Sequence, residues 1–232
     1  MASGIRVSLI NHTPEPERSV ALAGRLCYAA ISVEDLKKNL TQAEVNRLVK
    51  LFLSSGHWSA IEHTSFTFAV EGVSRVCTHQ LVRHRLASYN QQSQRYVKFD
   101  DYDFVIPSTL VESGFEAKFA EQAAASFKLY REMVEAGVPA EDARYILPQA
   151  GETKIVITMN ARELWHFFTL RCCRRAQWEI RKMACLMLLE AQKVAPILFE
   201  KAGSSCLRGP CPEGKFSCGK PAKSIQDILA EL

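Results

Sequence analysis

Residues 153–171 read TKIVITMNARELWHFFTLR and change period halfway along. Over Thr153–Met159 apolar and polar residues alternate, the period of a half-buried strand, and from Asn160 onward the apolar residues fall at helical spacing. Asn160 with Glu163 three residues later is a helix start of capping-box type. The helical pattern then continues to about Ala202, with Pro196 set to kink or split it.

On the N-terminal side the same two periods recur. Arg6–Ile10 reads as a short strand, and Pro14 and Pro16 precede a helical run from about Arg18 to Ala30. Thr41 and Glu44 form a capping box ahead of the stripe Val45, Leu48, Val49 and Phe52, which predicts a helix over 42–54. Phe66, Phe68 and Val70 alternate with Thr67 and Ala69 as in a strand, Gly72 marks a change of direction, and a helix over about Ser74–Arg83 follows. The polar stretch Ser88–Arg95 reads as an ordered loop or turn. Val105–Pro107 is a weak edge strand, Glu116–Ala136 a long helix closed by Gly137 and Pro139, and Ala140–Leu147 a short helix. With no repeat and no long linker, the pattern predicts a single α+β domain, its mostly antiparallel or mixed sheet flanked by long helices.

Composition narrows the class. The 232 residues are 47% hydrophobic and 23% charged, which excludes wholesale disorder; a chain this long buries roughly 70% of its unfolded surface. Charges interrupt every hydrophobic run before the roughly 20 residues that a bilayer span needs. Met1–Ile10 lacks a basic segment followed by an apolar block, so a cytoplasmic protein without membrane contact is expected. A net charge of +4 is mild for a dedicated nucleic-acid binder. Cys27, Cys77, Cys172, Cys173 and Cys185 fall in apolar periodic segments, where a free cysteine acts as a small hydrophobe.

The glycines form neither a dinucleotide fingerprint nor a P-loop, so phosphate must be held by side chains. Two segments suit that task. In the first, Arg75, Arg83, Arg85 and Arg95 surround Gln80, His84, Ser88, Asn90, Gln91, Gln92, Ser93 and Gln94, with guanidinium groups to fork onto phosphate and amides to read a base edge. The plainer alternative is a helix end rich in basic residues. The second segment begins at Asn160, where Arg162 and His166 share a helix face by their i, i+4 spacing near a helix N-terminus. Spacing alone leaves Arg171 open between a salt bridge and a ligand, and reads Trp165, Phe167, Phe168 and Leu170 as core. His57 and His63 bracket Ser59 and Glu62 without a zinc-hydrolase pattern, and no metal is expected there.

Arg83-His84-Arg85 followed by Ser93, with Arg95 beyond it, resembles the RHR-x7-Ser signature of flavin-dependent thymidylate synthases. GHWSAIEH at 56–63, ARYILP at 143–148, NARELWHFFTLR at 160–171 and AQWEI at 176–180 agree in order, and the likeness spans roughly residues 5–200. The resemblance implies a homotetramer with FAD at subunit interfaces that converts dUMP to dTMP. The carbon donor would be 5,10-methylenetetrahydrofolate and the reductant NADPH. It assigns Gln80, Arg83, Gln91, Ser93, Gln94, Arg95, Arg144 and Arg171 to dUMP. Ser59, Arg83, His84, Arg85, Gln91, Asn160, Arg162 and His166 fall to FAD, and His57 to the folate and flavin side. Gln91 stands where the family often has Glu, and His166 where Asn can occur. The implied catalytic residue is Arg171, a fixed cation stabilising a uracil deprotonated at N3, with no cysteine nucleophile.

The competing class is a nucleic-acid module stacking bases on Tyr89 and Tyr96, which would be colourless, with salt-dependent affinity. The resemblance sets residues 1–203 as the catalytic domain and 204–232 as a C-terminal extension. There Cys206, Cys211 and Cys218, spaced five and seven apart, leave open a structural zinc, a disulfide or free thiols, the last being the plainest. Ser224–Leu232 reads as a short amphipathic terminal helix.

Overall fold

The computed structural model describes residues 4–97 and 103–232. Its four strands are β1 (Arg6–His12), β2 (Ser65–Ser74), β3 (Ala87–Gln91) and β4 (Glu152–Asn160), which form one antiparallel sheet in the order β1-β2-β4-β3. The helices are α1 (Pro16–Leu26), α2 (Val33–Asn39), α3 (Gln42–Ser54), α4 (Arg75–Leu81), α5 (Ser108–Glu112), α6 (Glu116–Glu135), α7 (Ala140–Ala143), α8 (Ala161–Arg171), α9 (Trp178–Val194) and α10 (Ile225–Leu229). This is the α+β class that the alternation of periods predicts.

Two compact units share the chain. One comprises residues 70–83 and 89–156 with the first six residues; the other comprises 7–69, 84–88 and 157–232. The second unit holds most of the apolar core: Val45, Val49 and Phe52 of α3, Phe66 and Phe68 of β2, Leu164, Phe167 and Phe168 of α8, and Ile180, Met183 and Leu188 of α9. Gly24 on α1 admits the Phe52 ring so closely that a Cβ there would sit 2.3 Å from it. In the first unit Val73, Cys77, Leu81 and Ile155 are buried, and α6 buries only Ala123 and Tyr130.

Capping explains most helix starts. Thr41 Oγ1 accepts the Glu44 N–H at 3.3 Å while Glu44 accepts the Thr41 N–H at 3.1 Å, so the box ahead of α3 is made in both directions. Asn160 Oδ1 accepts the Glu163 N–H at 2.9 Å and starts α8 straight out of β4. Gln177 accepts the N–H groups of Glu179 and Ile180 and starts α9.

Several expectations are corrected. The first helix runs over Pro16–Leu26, with Pro16 in its first turn, and Ser32 caps a separate α2 beyond the end of the expected run, where the sequence reading gives no element. Gly72 does not turn the chain: β2 continues to Ser74, and φ of +75° at Gly72 lets the backbone of Gly4 approach, 2.1 Å from where a Cβ would lie. Residues 87–91, which overlap the start of the expected loop, are a strand held by backbone pairing, and Gln92 N–H extends that pairing to the Lys154 carbonyl at 2.9 Å. Val105–Pro107 is no strand; an isolated bridge joins Phe104 to Gly151. The helical run from Asn160 breaks first at residues 172–177 and again at Ala195, where α9 ends ahead of Pro196. Leu170 is exposed, unlike its aromatic neighbours, as is Cys27, and Cys173 is half-buried. The short helix expected over 140–147 is α7 continued by a tighter turn over Arg144–Ile146.

Candidate active site

In the first unit the polar string lies on and after β3. Gln91 donates to Thr78 Oγ1 at 3.1 Å and to Thr153 Oγ1 at 3.2 Å, which fixes its amide along α4 and β4. Gln91 and Gln94 line a cavity of about 290 Å³ together with Arg75, His79, Leu147 and Pro148. Ser93 Oγ accepts the Arg95 N–H at 3.0 Å and the Tyr96 N–H at 3.4 Å, so its hydroxyl shapes a turn. Arg95 pairs with the Glu141 carboxylate, and Arg144 Nε donates to the Glu141 carbonyl at 3.1 Å. One residue thereby gathers two of the arginines expected to bind dUMP. Gln80 is half-buried at the end of α4, and Arg83 lies exposed two residues beyond it.

The second unit carries His57, Ser59, His84, Arg85, Asn160, Arg162, His166 and Arg171. A cavity of about 1030 Å³ is walled by Arg47, Lys50, Arg162, His166, Lys201 and Arg208, with Trp58 and Trp165. The two indoles meet edge-on at 5.4 Å, and the Arg208 guanidinium lies 5.3 Å above Trp165, where burial pulls it below its ordinary value. Glu200 is the one acid on that wall, so the cavity is strongly cationic. Arg162, paired with Glu62, also borders a second cavity of about 390 Å³ that holds His57 and Ser59. Arg85 is exposed, and Asn160 engages its Oδ1 in the cap of α8.

His84 is buried. Its Nδ1 lies 3.1 Å from Glu163 Oε1 and its Nε2 accepts Arg171 Nε–H at 3.0 Å, while its ring stands edge-on to Phe167 at 4.9 Å and to His166 at 5.8 Å. Burial, then the charges of Arg171 and His166, push its pKa down to about 4, so the imidazole is neutral. Burial raises the Glu163 carboxyl. Arg171, left open by spacing, thus joins the group containing His84 and His166. Sequence reasoning missed Glu163, which is spelled as an ordinary capping residue, and also Arg47, Lys50 and Arg208, which carry no local motif.

A cationic, indole-walled cavity and an amide-lined one, on an α+β frame without a glycine-rich loop, have the chemistry that suits phosphorylated planar ligands. Residues 8–197 match the family model described as thymidylate synthase complementing protein, Thy1, and the chain belongs to that family. It is 52% identical over 231 residues to a flavin-dependent thymidylate synthase of Geobacter sulfurreducens, an alignment covering 98% of this chain and 99% of the relative. Proteins of the same name from Clostridium tetani (50% identical, 95% of each chain) and Pyrococcus furiosus (45% identical, 98% of each chain) are similar throughout.

Proposed function

We propose that this chain is a flavin-dependent thymidylate synthase, in which dUMP, 5,10-methylenetetrahydrofolate, NADPH and a proton give dTMP, tetrahydrofolate and NADP+. The observation that carries this reading is the likeness, over nearly the whole chain, to relatives bearing that name.

The cationic cavity of the second unit fits FAD: its guanidinium and ammonium groups suit a pyrophosphate and its indoles suit a planar ring. Ser59, Arg83, His84, Arg85, Gln91, Asn160, Arg162 and His166 hold the flavin, with His57 on the folate side. The chemistry a bound FAD supplies is hydride transfer from NADPH. Gln80, Arg83, Gln91, Ser93, Gln94, Arg95 and Arg144 bind dUMP, with Arg83, Arg95 and Arg144 on its phosphate and pyrimidine. Arg171 stabilises the uracil deprotonated at N3, which pushes electron density toward C5. A cysteine thiolate adding to C6 is not required.

The chain assembles as a homotetramer whose subunits complete one another's sites. Tyr145, Tyr96 and Leu86 are 88%, 78% and 74% exposed, and α6 leaves most of its length uncovered, which suits an associating protein. Residues 1–203 form the catalytic domain and 204–232 a cysteine-containing extension, in keeping with a family match that ends at residue 197. The protein acts in the cytoplasm without nucleic-acid or membrane partners; among the described residues no helix is long and apolar enough to cross a membrane.

The test is the visible spectrum of the purified protein together with dTMP formation from the three substrates. A flavin spectrum is expected, with dTMP formed only when all three are present, and Arg171→Ala should lower kcat by roughly 100-fold or more. A colourless protein that binds no added FAD and forms no dTMP would overturn the reading.

A further inference from the structure

Glu163 occupies the third position of α8, where the Asn160 cap invites it to complete a capping box as Glu44 does for Thr41. The box stays half-made. Asn160 accepts the Glu163 N–H, but the Glu163 carboxylate turns to His84 instead. Glu163, Phe167 and Arg171 fall at i, i+4 and i+8, so they form one stripe along α8. The His84 ring stands edge-on over the middle of that stripe, with the acid one turn before it and the guanidinium one turn after.

The two contacts fix the tautomer of His84. Arg171 Nε–H can only donate, so the Nε2 facing it must carry a lone pair. The ring proton therefore sits on Nδ1 and is donated to Glu163 Oε1, an oxygen that accepts whichever charge the acid carries. A carboxylate placed directly on Arg171 would orient the guanidinium but also neutralise it. A neutral imidazole interposed between them orients without neutralising, and leaves Nη1 and Nη2 to meet a ligand with the positive charge intact.

We propose that Glu163 and His84 are positioning residues that hold the Arg171 guanidinium in the plane needed to stabilise the substrate anion. This rests on the functional reading above. It makes the histidine of the Arg-His-Arg segment an orienting group for a cation 87 residues away in sequence.

Three forms of the full-length protein test it: wild type, Glu163→Leu, which removes the acceptor, and Glu163→Gln, which keeps an oxygen at the same reach. Steady-state kinetics give kcat and the KM for dUMP, absorbance gives flavin content, and nitrogen NMR of histidine-labelled protein gives the ring tautomer, assigned with His84→Gln. Glu163→Leu is expected to lose roughly 10- to 100-fold in kcat at unchanged flavin content, and Glu163→Gln to stay within about threefold of wild type, since the acceptor is restored. The wild-type His84 ring is expected to carry its proton on Nδ1. Wild-type kcat in Glu163→Leu, or equal damage in both variants, would overturn the proposal. So would an Nε2 proton on wild-type His84, a result that stands even if Glu163→Leu does not fold. If wild type forms no dTMP, the functional reading fails, while the tautomer still judges the contact.

Discussion

His84 makes one ring a contributor to the pH dependence of stability. Its folded pKa of about 4 lies below the usual value of 6.5, so between those values the unfolded chain binds more protons than the folded one. The stabilisation is complete above about pH 6.5 and lost as pH falls toward 4. The full shift corresponds to about 3 kcal/mol, reduced by whatever water reaches the ring. The raised Glu163 carboxyl acts in the opposite sense, because its protonation favours the folded chain as pH falls. Subtracting the unfolding profile of His84→Gln from that of wild type isolates the ring. The wild type should lose stability more steeply between pH 6.5 and 4, and parallel profiles would contradict the neutral imidazole.

Among the elements, legibility in the sequence depended on whether a side chain served its own element. The box at Thr41 and Glu44 announced α3 because both residues bond to the local backbone. Asn160 and Glu163 spell a similar start, and α8 does begin there, yet the acid has a distant partner that no local rule reveals. β3 escaped notice because Ala87–Gln91 lacks an apolar alternation, its strand character resting on main-chain pairing. The arginines, glutamines and histidines of the candidate site were legible as residue types, whereas the pairing of Arg95 with Glu141 depends on tertiary packing. Gly72 misled for a related reason: its positive φ serves a close backbone approach within β2, not a turn. Gly72→Ala combines an unfavourable φ with a clash against the Gly4 carbonyl, and should destabilise by roughly 2–3 kcal/mol. A fall in the urea midpoint at constant m-value would show this, and an unchanged midpoint would contradict the crowding.

For the whole molecule, the exposed Tyr145, Tyr96 and Leu86 and the sparsely buried α6 are consistent with a chain that functions as an assembly. Light scattering on the purified protein should give about four times the chain mass of 26.0 kDa. A monomer of full activity would refute the tetramer.

Near the start of α1, the Glu17 carboxylate accepts the main-chain N–H groups of Ile197 and Leu198 at 2.6 and 2.9 Å, across 180 residues of sequence. The acid is synthesised long before its two partner amides. During translation α1 therefore waits for these amides, and growing chains that stop short of Pro196 leave that anchor unmade. The folding of this unit is then completed only after residues 197–198 have been made, well after its first helix has left the ribosome.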